Sequence, residues 1–169
     1  MTIIVENGSN VANANSYITV ATLRDYATAR GVTLPADPAC EPLLIKAVDY
    51  INSFRGRYQG TKTYSDQTML FPRNGMTIDG ETFPKDAIPQ ELKDAQAQAA
   101  IYAATTDLNP ITTGAQVVKR EKIGPIDTEY SETLAVKFLD SGPSFPLVDV
   151  LLEPLFGSQG GFFITTVRA

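Results

Sequence analysis

Pro42-Leu43-Leu44-Ile45-Lys46-Ala47-Val48-Asp49-Tyr50-Ile51-Asn52-Ser53-Phe54-Arg55 decides the fold. Leu44, Ala47, Val48, Ile51 and Phe54 return at intervals of three and four residues, which draws one apolar stripe along an α-helix. Pro42 suits the first turn, where its missing N–H has no intrahelical partner to lose. Gly56 and Gly60 break the pattern after Arg55. A helix with one apolar face needs other elements to cover that face, so the rest of the chain is read for them.

On the N-terminal side a short apolar strand at the start leads into Asn7-Gly8-Ser9-Asn10 and an Asn/Ala-rich segment. A first helix is predicted from Thr19, a good N-cap, to Arg30, with Gly31 as its stop. Val20, Leu23 and Tyr26 or Ala27 would face the core. Leu34 to Pro42 reads as a proline-punctuated connection.

On the C-terminal side, residues 56–88 form a long connection rich in Gly, Pro, Asp and Asn. Loops of that length inside a compact domain are usually functional or disordered. Leu70, Phe71, Ile78 and Phe83 supply apolar anchors that should order it. A third helix is predicted from Pro89 to Thr106, with Leu92, Ala95, Ala99 and Tyr102 on one face and alanines that permit close helix approach. Asn109-Pro110 ends it.

Gln116–Lys122 and Asp127–Phe138 read as two strands around Gly124-Pro125. A last helix spans Pro146 to Phe156, with Leu147, Val150, Leu151 and Leu155 as its apolar side. Gly157 to Gly161 is a hinge. Phe162-Phe163-Ile164-Thr165-Thr166-Val167 follows, apolar and β-prone, and such a strand-like tail asks for a sheet edge, in this protein or in another. The expected fold is mainly α within an α+β class: a bundle of about four helices with a β-hairpin at 115–138, the long loop and an extended arm. Residues 1–156 make the domain and 157–169 the hinge and docking arm.

Composition narrows function. The chain has 169 residues, 43% hydrophobic and 20% charged, enough for one core. The first residues lack the basic and long apolar regions of a signal peptide, and no run of 18 apolar residues calls for a membrane. There is no histidine, which removes the commonest general base, the commonest metal ligand and every Ser-His-Asp arrangement. The single cysteine, Cys40, excludes an intrachain disulfide and a multi-cysteine zinc site. Gly56 to Thr63 fails as a phosphate loop, because the glycines are too close and Thr61 separates Gly60 from Lys62. The chain is therefore expected to be no enzyme and to carry no cofactor or metal.

The net charge is −5, unfavourable for gripping DNA phosphates with the whole surface. Residues 55–73 nevertheless hold Arg55, Arg57, Lys62 and Arg73 against Asp66, a net of +3, while residues 127–169 carry a net of −4. Such polarity suits edge-to-edge stacking of copies, or uneven solvated surface. Arg55, Arg57, Tyr58, Lys62 and Tyr64 also mix cations and aromatics as single-strand binders do. Lys119, Arg120 and Lys122, interrupted by Glu121, alternate between the two faces of the predicted hairpin. They read first as solvated surface, next as a charged contact with a neighbouring copy, and last as a DNA contact.

Several blocks, in order and spacing, resemble one protein family. They are Ser16-Tyr17-Ile18-Thr19, the Leu43–Phe54 helix, Leu70-Phe71-Pro72-Arg73, Ile88-Pro89-Gln90-Glu91-Leu92, Lys122-Ile123-Gly124-Pro125, Leu151 to Phe156, and Val167-Arg168-Ala169. The chain resembles the head-tail connector (adaptor, head-completion) proteins of tailed bacteriophages. Members of that group often carry the label of DnaT-like single-stranded-DNA-binding proteins.

The resemblance implies a structural virion protein of the neck, present in the host cytoplasm during assembly. It would form a homo-oligomeric ring, usually a dodecamer, between the portal protein and the next neck or tail-completion protein. Genomic double-stranded DNA would pass through without sequence-specific contact. Portal docking is then expected at Phe162, Phe163, Ile164, Val167 and Arg168. Subunit contacts are expected at Arg55, Arg57, Lys62, Phe71, Arg73, Lys119, Arg120 and Lys122. The alternative is a DnaT-like single-stranded-DNA-binding protein using the 55–64 cluster.

Overall fold

A computed structural model describes residues 2–108, 120–123, 126–129 and 145–157. Among the described residues, four helices and three short antiparallel strand pairs give the expected α+β class. Helix α1 runs Val20–Thr28, and Thr19 caps it as predicted, its side-chain oxygen accepting from the Thr22 N–H at 3.1 Å. Helix α2 runs Asp37–Ser53, α3 Gln90–Ala103 and α4 Pro146–Leu152. A 3-10 turn, Glu153–Leu155, extends α4.

Helix α2 starts earlier than the predicted Pro42, which lies inside it. Cys40 is the reason. It is fully buried and continues the stripe of Leu44, Ala47, Val48 and Ile51 one turn toward the N-terminus. That packing outweighs the one backbone hydrogen bond Pro42 cannot make. The last helix is also shorter than predicted, since the chain tightens at Glu153, just before Pro154.

Helix α3 is the centre of the molecule, packed by α1, α2 and α4. Residues 95–100 are all buried, so it has no solvent face over that stretch and Gln96 and Gln98 sit among apolar side chains. The four alanines at 95, 97, 99 and 100 keep its surface thin enough for neighbours on every side.

The start of the chain forms no strand; one parallel bridge joins Val5 to Ser16. Glu6, 1% exposed, organises this segment instead. Its Oε1 accepts from Gly8 N–H at 2.8 Å and Asn10 N–H at 3.2 Å, and its Oε2 from Val11 N–H at 2.9 Å. A carboxylate taking three backbone donors folds the turn around itself.

The long connection is ordered by its anchors. Met69, Leu70, Phe71 and Met76 enter the core. Strand β1, Thr61–Lys62, pairs with β2, Arg73–Asn74; β3, Thr77–Ile78, pairs with β4, Glu81–Thr82. Asp79 and Gly80, at φ 53° and 83°, make the β3–β4 turn in the left-handed geometry that a two-residue hairpin favours. The predicted hairpin is present as β5, Arg120–Ile123, paired with β6, Ile126–Glu129. The rest of its predicted span lies outside the described residues.

Gly60 is the tight point of this connection. Its φ is +63°, and a Cβ there would lie 2.1 Å from the backbone oxygen of Asn74. Gly60→Ala is expected to cost at least ~2 kcal/mol in urea denaturation. Gly56, with open space around it, is the control, and Gly56→Ala should stay within about 0.5 kcal/mol.

Candidate single-stranded DNA interface

Eight aromatic rings run in unbroken contact through the molecule. Tyr17 meets Phe71 at 6.2 Å between centroids, Phe71 meets Tyr58 at 5.1 Å, and Tyr58 meets Phe156 at 5.2 Å. Phe156 meets Phe54 at 5.8 Å, Phe54 meets Tyr50 at 5.1 Å, and Tyr50 meets Phe145 at 5.3 Å. Phe145 stacks on Tyr102 at 5.5 Å. Most contacts are edge-to-face, the arrangement favoured by ring quadrupoles. The inner members are buried, whereas Phe54, Phe156, Phe145 and Tyr102 are only half-buried.

Backbone pairing brings Phe54 and Phe156 together. Tyr58 and Phe156 form an antiparallel bridge, with Gln59 N–H donating to the Leu155 carbonyl at 3.0 Å and Gly157 N–H to the Arg57 carbonyl at 2.7 Å. The Gln59 side chain strengthens the joint: its Nε2 donates to the carbonyls of Thr77 and Pro154, at 3.1 and 3.0 Å. The C-terminal turn is thereby fastened to the end of α2.

The five residues of the basic-aromatic cluster take different places. Arg55 and Arg57 are exposed. The Arg57 guanidinium lies 4.1 Å from the Phe156 ring centroid and 5.5 Å from that of Phe54, in cation–π range of both. Tyr58 is buried, its hydroxyl donating to the Ile51 carbonyl at 2.9 Å, so it presents no stacking face. The Lys62 ammonium donates to the Gln67 carbonyl at 3.0 Å, although the residue is exposed. Tyr64 is half-buried.

Two of the expected subunit-contact residues are taken up inside the chain. Phe71 is fully buried, and Arg73 is 8% exposed. The Arg73 guanidinium donates to the carbonyls of Gln59 and Gly60, both at 2.6 Å, and burial pulls its pKa below the ordinary value. An arginine with five fixed donors can satisfy several turn carbonyls at once, which a lysine cannot. Arg120 and Lys122 belong to β5, where they pair with Glu129 and Asp127 in register. Lys119 and the docking-arm residues Phe162, Phe163, Ile164, Val167 and Arg168 lie outside the described residues.

What remains on the surface is a small platform of two half-buried phenylalanines with the exposed Arg57 in range of both; Arg55, two positions earlier in the chain, is exposed as well. Sequence reasoning misses Phe54 and Phe156 as a pair. By spacing Phe54 belongs to the buried stripe of α2, and Phe156 is 102 positions away in the chain.

No group of His, Cys, Asp or Glu suited to a metal occurs among the described residues, and no described helix is long and apolar enough to cross a membrane. A shallow cleft of about 350 Å³ lies at the end of α1, lined in part by Arg24, Thr28, Val32 and Leu34. Arg24 is already engaged there by the Asp37 carboxylate and the Pro35 carbonyl.

A family model described as "Putative DnaT-like ssDNA binding protein" matches residues 1–169. The chain belongs to this family. No curated protein and no solved structure matches it. For this DnaT-like chain the family match therefore supports the single-strand half of the sequence resemblance, and the head-tail connector half receives no support from it.

The aromatic run also sets an alkaline limit on the DnaT-like fold. Burial pushes the hydroxyls of Tyr17, Tyr58 and Tyr50 well above the ordinary value of 10.0. The native state thus holds these protons where the unfolded chain has released them, so stability is intact below about pH 10 and falls as pH rises beyond it. Urea midpoints measured between pH 8 and 11 should be flat and then drop. Tyr58→Phe should reduce the drop.

Proposed function

We propose that the chain binds single-stranded DNA at the platform of Phe54, Phe156, Arg57 and Arg55. The observation that carries this reading is Arg57 lying 4.1 Å from the Phe156 ring, with Arg55 exposed two positions earlier in the chain. Single-strand binders combine cations that follow the backbone with aromatic or guanidinium planes on which bases stack. The family match supports the same ligand. With only two exposed arginines in the platform and a net charge of −5, binding is modest and non-specific.

Fluorescence anisotropy with a labelled oligothymidylate tests this. Two phosphate contacts give a slope of log affinity on log salt of about −1.4. Arg57→Ala should weaken binding about tenfold and shallow the slope, because it removes a phosphate contact and a stacking plane. Salt-sensitive binding that is unchanged in the Arg57→Ala protein would move the site elsewhere, and no binding at low salt would reject the function.

A second reading, a structural connector in a tailed-phage neck, is favoured by a different observation. Arg73 and Lys62 satisfy the chain's own carbonyls, and the net charge stays acidic, which suits a conduit wall that DNA slides past. Copies would form a ring beneath the portal protein and above the next neck protein. The arm with Phe162, Phe163, Ile164, Val167 and Arg168 would dock on the portal, and Arg55, Arg57 and Lys62 would meet a neighbouring copy. The protein would act in the virion after assembly in the host cytoplasm. Portal pull-down by the full chain, lost when it ends at Ser158, supports this reading. Neither reading makes the chain an enzyme.

A further inference from the structure

Helix α4 is apolar on both its inner and its outer side. Its sequence, Pro146-Leu147-Val148-Asp149-Val150-Leu151-Leu152, has one charged side chain, and Asp149 accepts from the Tyr50 hydroxyl at 3.2 Å. Val148 and Leu152 are fully buried on the inner side. On the outer side Leu147 is 46% and Val150 61% exposed, the two most exposed large apolar side chains among the described residues. They are three positions apart, and half-buried Leu151 extends the same strip. A helix with apolar residues on two opposite sides is normally covered on both.

We propose that the outer face of α4 is the docking surface for the chain's own segment Phe162–Val167. Composition and reach both identify this occupant. The segment is Phe-Phe-Ile-Thr-Thr-Val, without a charged side chain, and it needs an apolar partner as the α4 face does. Residues 130–144, which precede α4, carry Glu132, Lys137 and Asp140 and match the strip less well. The described chain ends at Gly157, held just beyond the end of α2 by its hydrogen bond to the Arg57 carbonyl. From Val150 to Gly157 the path is at most ~16 Å, given the rises of helix, 3-10 turn and extended chain. Gly157 to Phe162 spans up to ~17 Å when extended. The segment Ser158-Gln159-Gly160-Gly161 is thus long enough to bring Phe162 back to Val150 within one molecule. This inference concerns the free chain and rests on neither functional reading.

Amide hydrogen exchange of residues 146–152, compared between the full chain and one ending at Ser158, tests it. Truncation should speed exchange there at least about tenfold, with no change in α2, because the cover stabilises the helix against local opening. Val150→Asp in the full chain should reproduce the effect; its outward position leaves the fold intact, as near-UV circular dichroism would confirm. The difference should persist on hundredfold dilution. Unchanged exchange on truncation overturns the proposal. Protection that fades with dilution also overturns it, and assigns the face to a second copy.

Discussion

Phe71→Ala is expected to destabilise the protein by ~3–5 kcal/mol, the range for deleting a fully buried aromatic ring. Phe71 is 0% exposed and touches Tyr17 and Tyr58 edge-to-face at 6.2 and 5.1 Å. Its N–H also donates to the Tyr17 hydroxyl at 3.2 Å, so this residue fixes the long connection through both its side chain and its main chain. Against a total stability of ~5–15 kcal/mol for a domain, the loss is large enough to unfold the chain at modest urea. Equilibrium urea denaturation reads it as a lower midpoint with an unchanged slope. A loss below about 1 kcal/mol would mean that residues 56–88 are not integrated with the core. The same experiment on Arg55→Ala, on the surface, should move the midpoint little.

Gln96→Leu is expected to destabilise by ~2–3 kcal/mol, although leucine is close to glutamine in volume and the site is buried. Gln96 is 0% exposed. Its Oε1 accepts from Tyr17 N–H at 2.9 Å, and its Nε2 donates to Ser16 Oγ at 2.8 Å and the Leu44 carbonyl at 3.2 Å. Leucine would gain hydrophobic burial but strand the Tyr17 N–H in the core. An unmade buried hydrogen bond costs ~1–3 kcal/mol, and the two hydrogen bonds that Nε2 donates would disappear as well. Burying a few more apolar atoms returns only about 1 kcal/mol. Thermal or urea denaturation decides the sign, and a stabilised Gln96→Leu protein would show that these bonds contribute nothing net.

These two residues show how far pattern reading reaches. The helices at 20–28, 37–53 and 90–103 are legible because the spacing of their apolar residues states which side is buried, and Thr19 marks where one begins. The start of α2 is not legible, because Pro42 looks like a first-turn proline until Cys40 is seen to pack into the core. The buried side of α4 escapes for a different reason. Leu147, Val150 and Leu151 make as good a stripe as Val148, Leu152 and Leu155, so periodicity alone cannot choose between them. Gln96 gives no sign at all, since its value lies in three partners from two distant segments.

The candidate site divides the same way. Charge clustering points to residues 55–64, and Arg55 and Arg57 are indeed on the surface there. Local sequence does not tell that Tyr58 turns inward, that Lys62 and Arg73 bind backbone carbonyls, or that Phe156 lies beside Arg57. Fold class, the helices among the described residues and the absence of histidine chemistry follow from composition and short-range spacing, which are properties of the chain itself. The platform exists only because the pairing of residues 57–59 with 155–157 brings two phenylalanines and an arginine within about 6 Å, and contact across that separation is settled by packing.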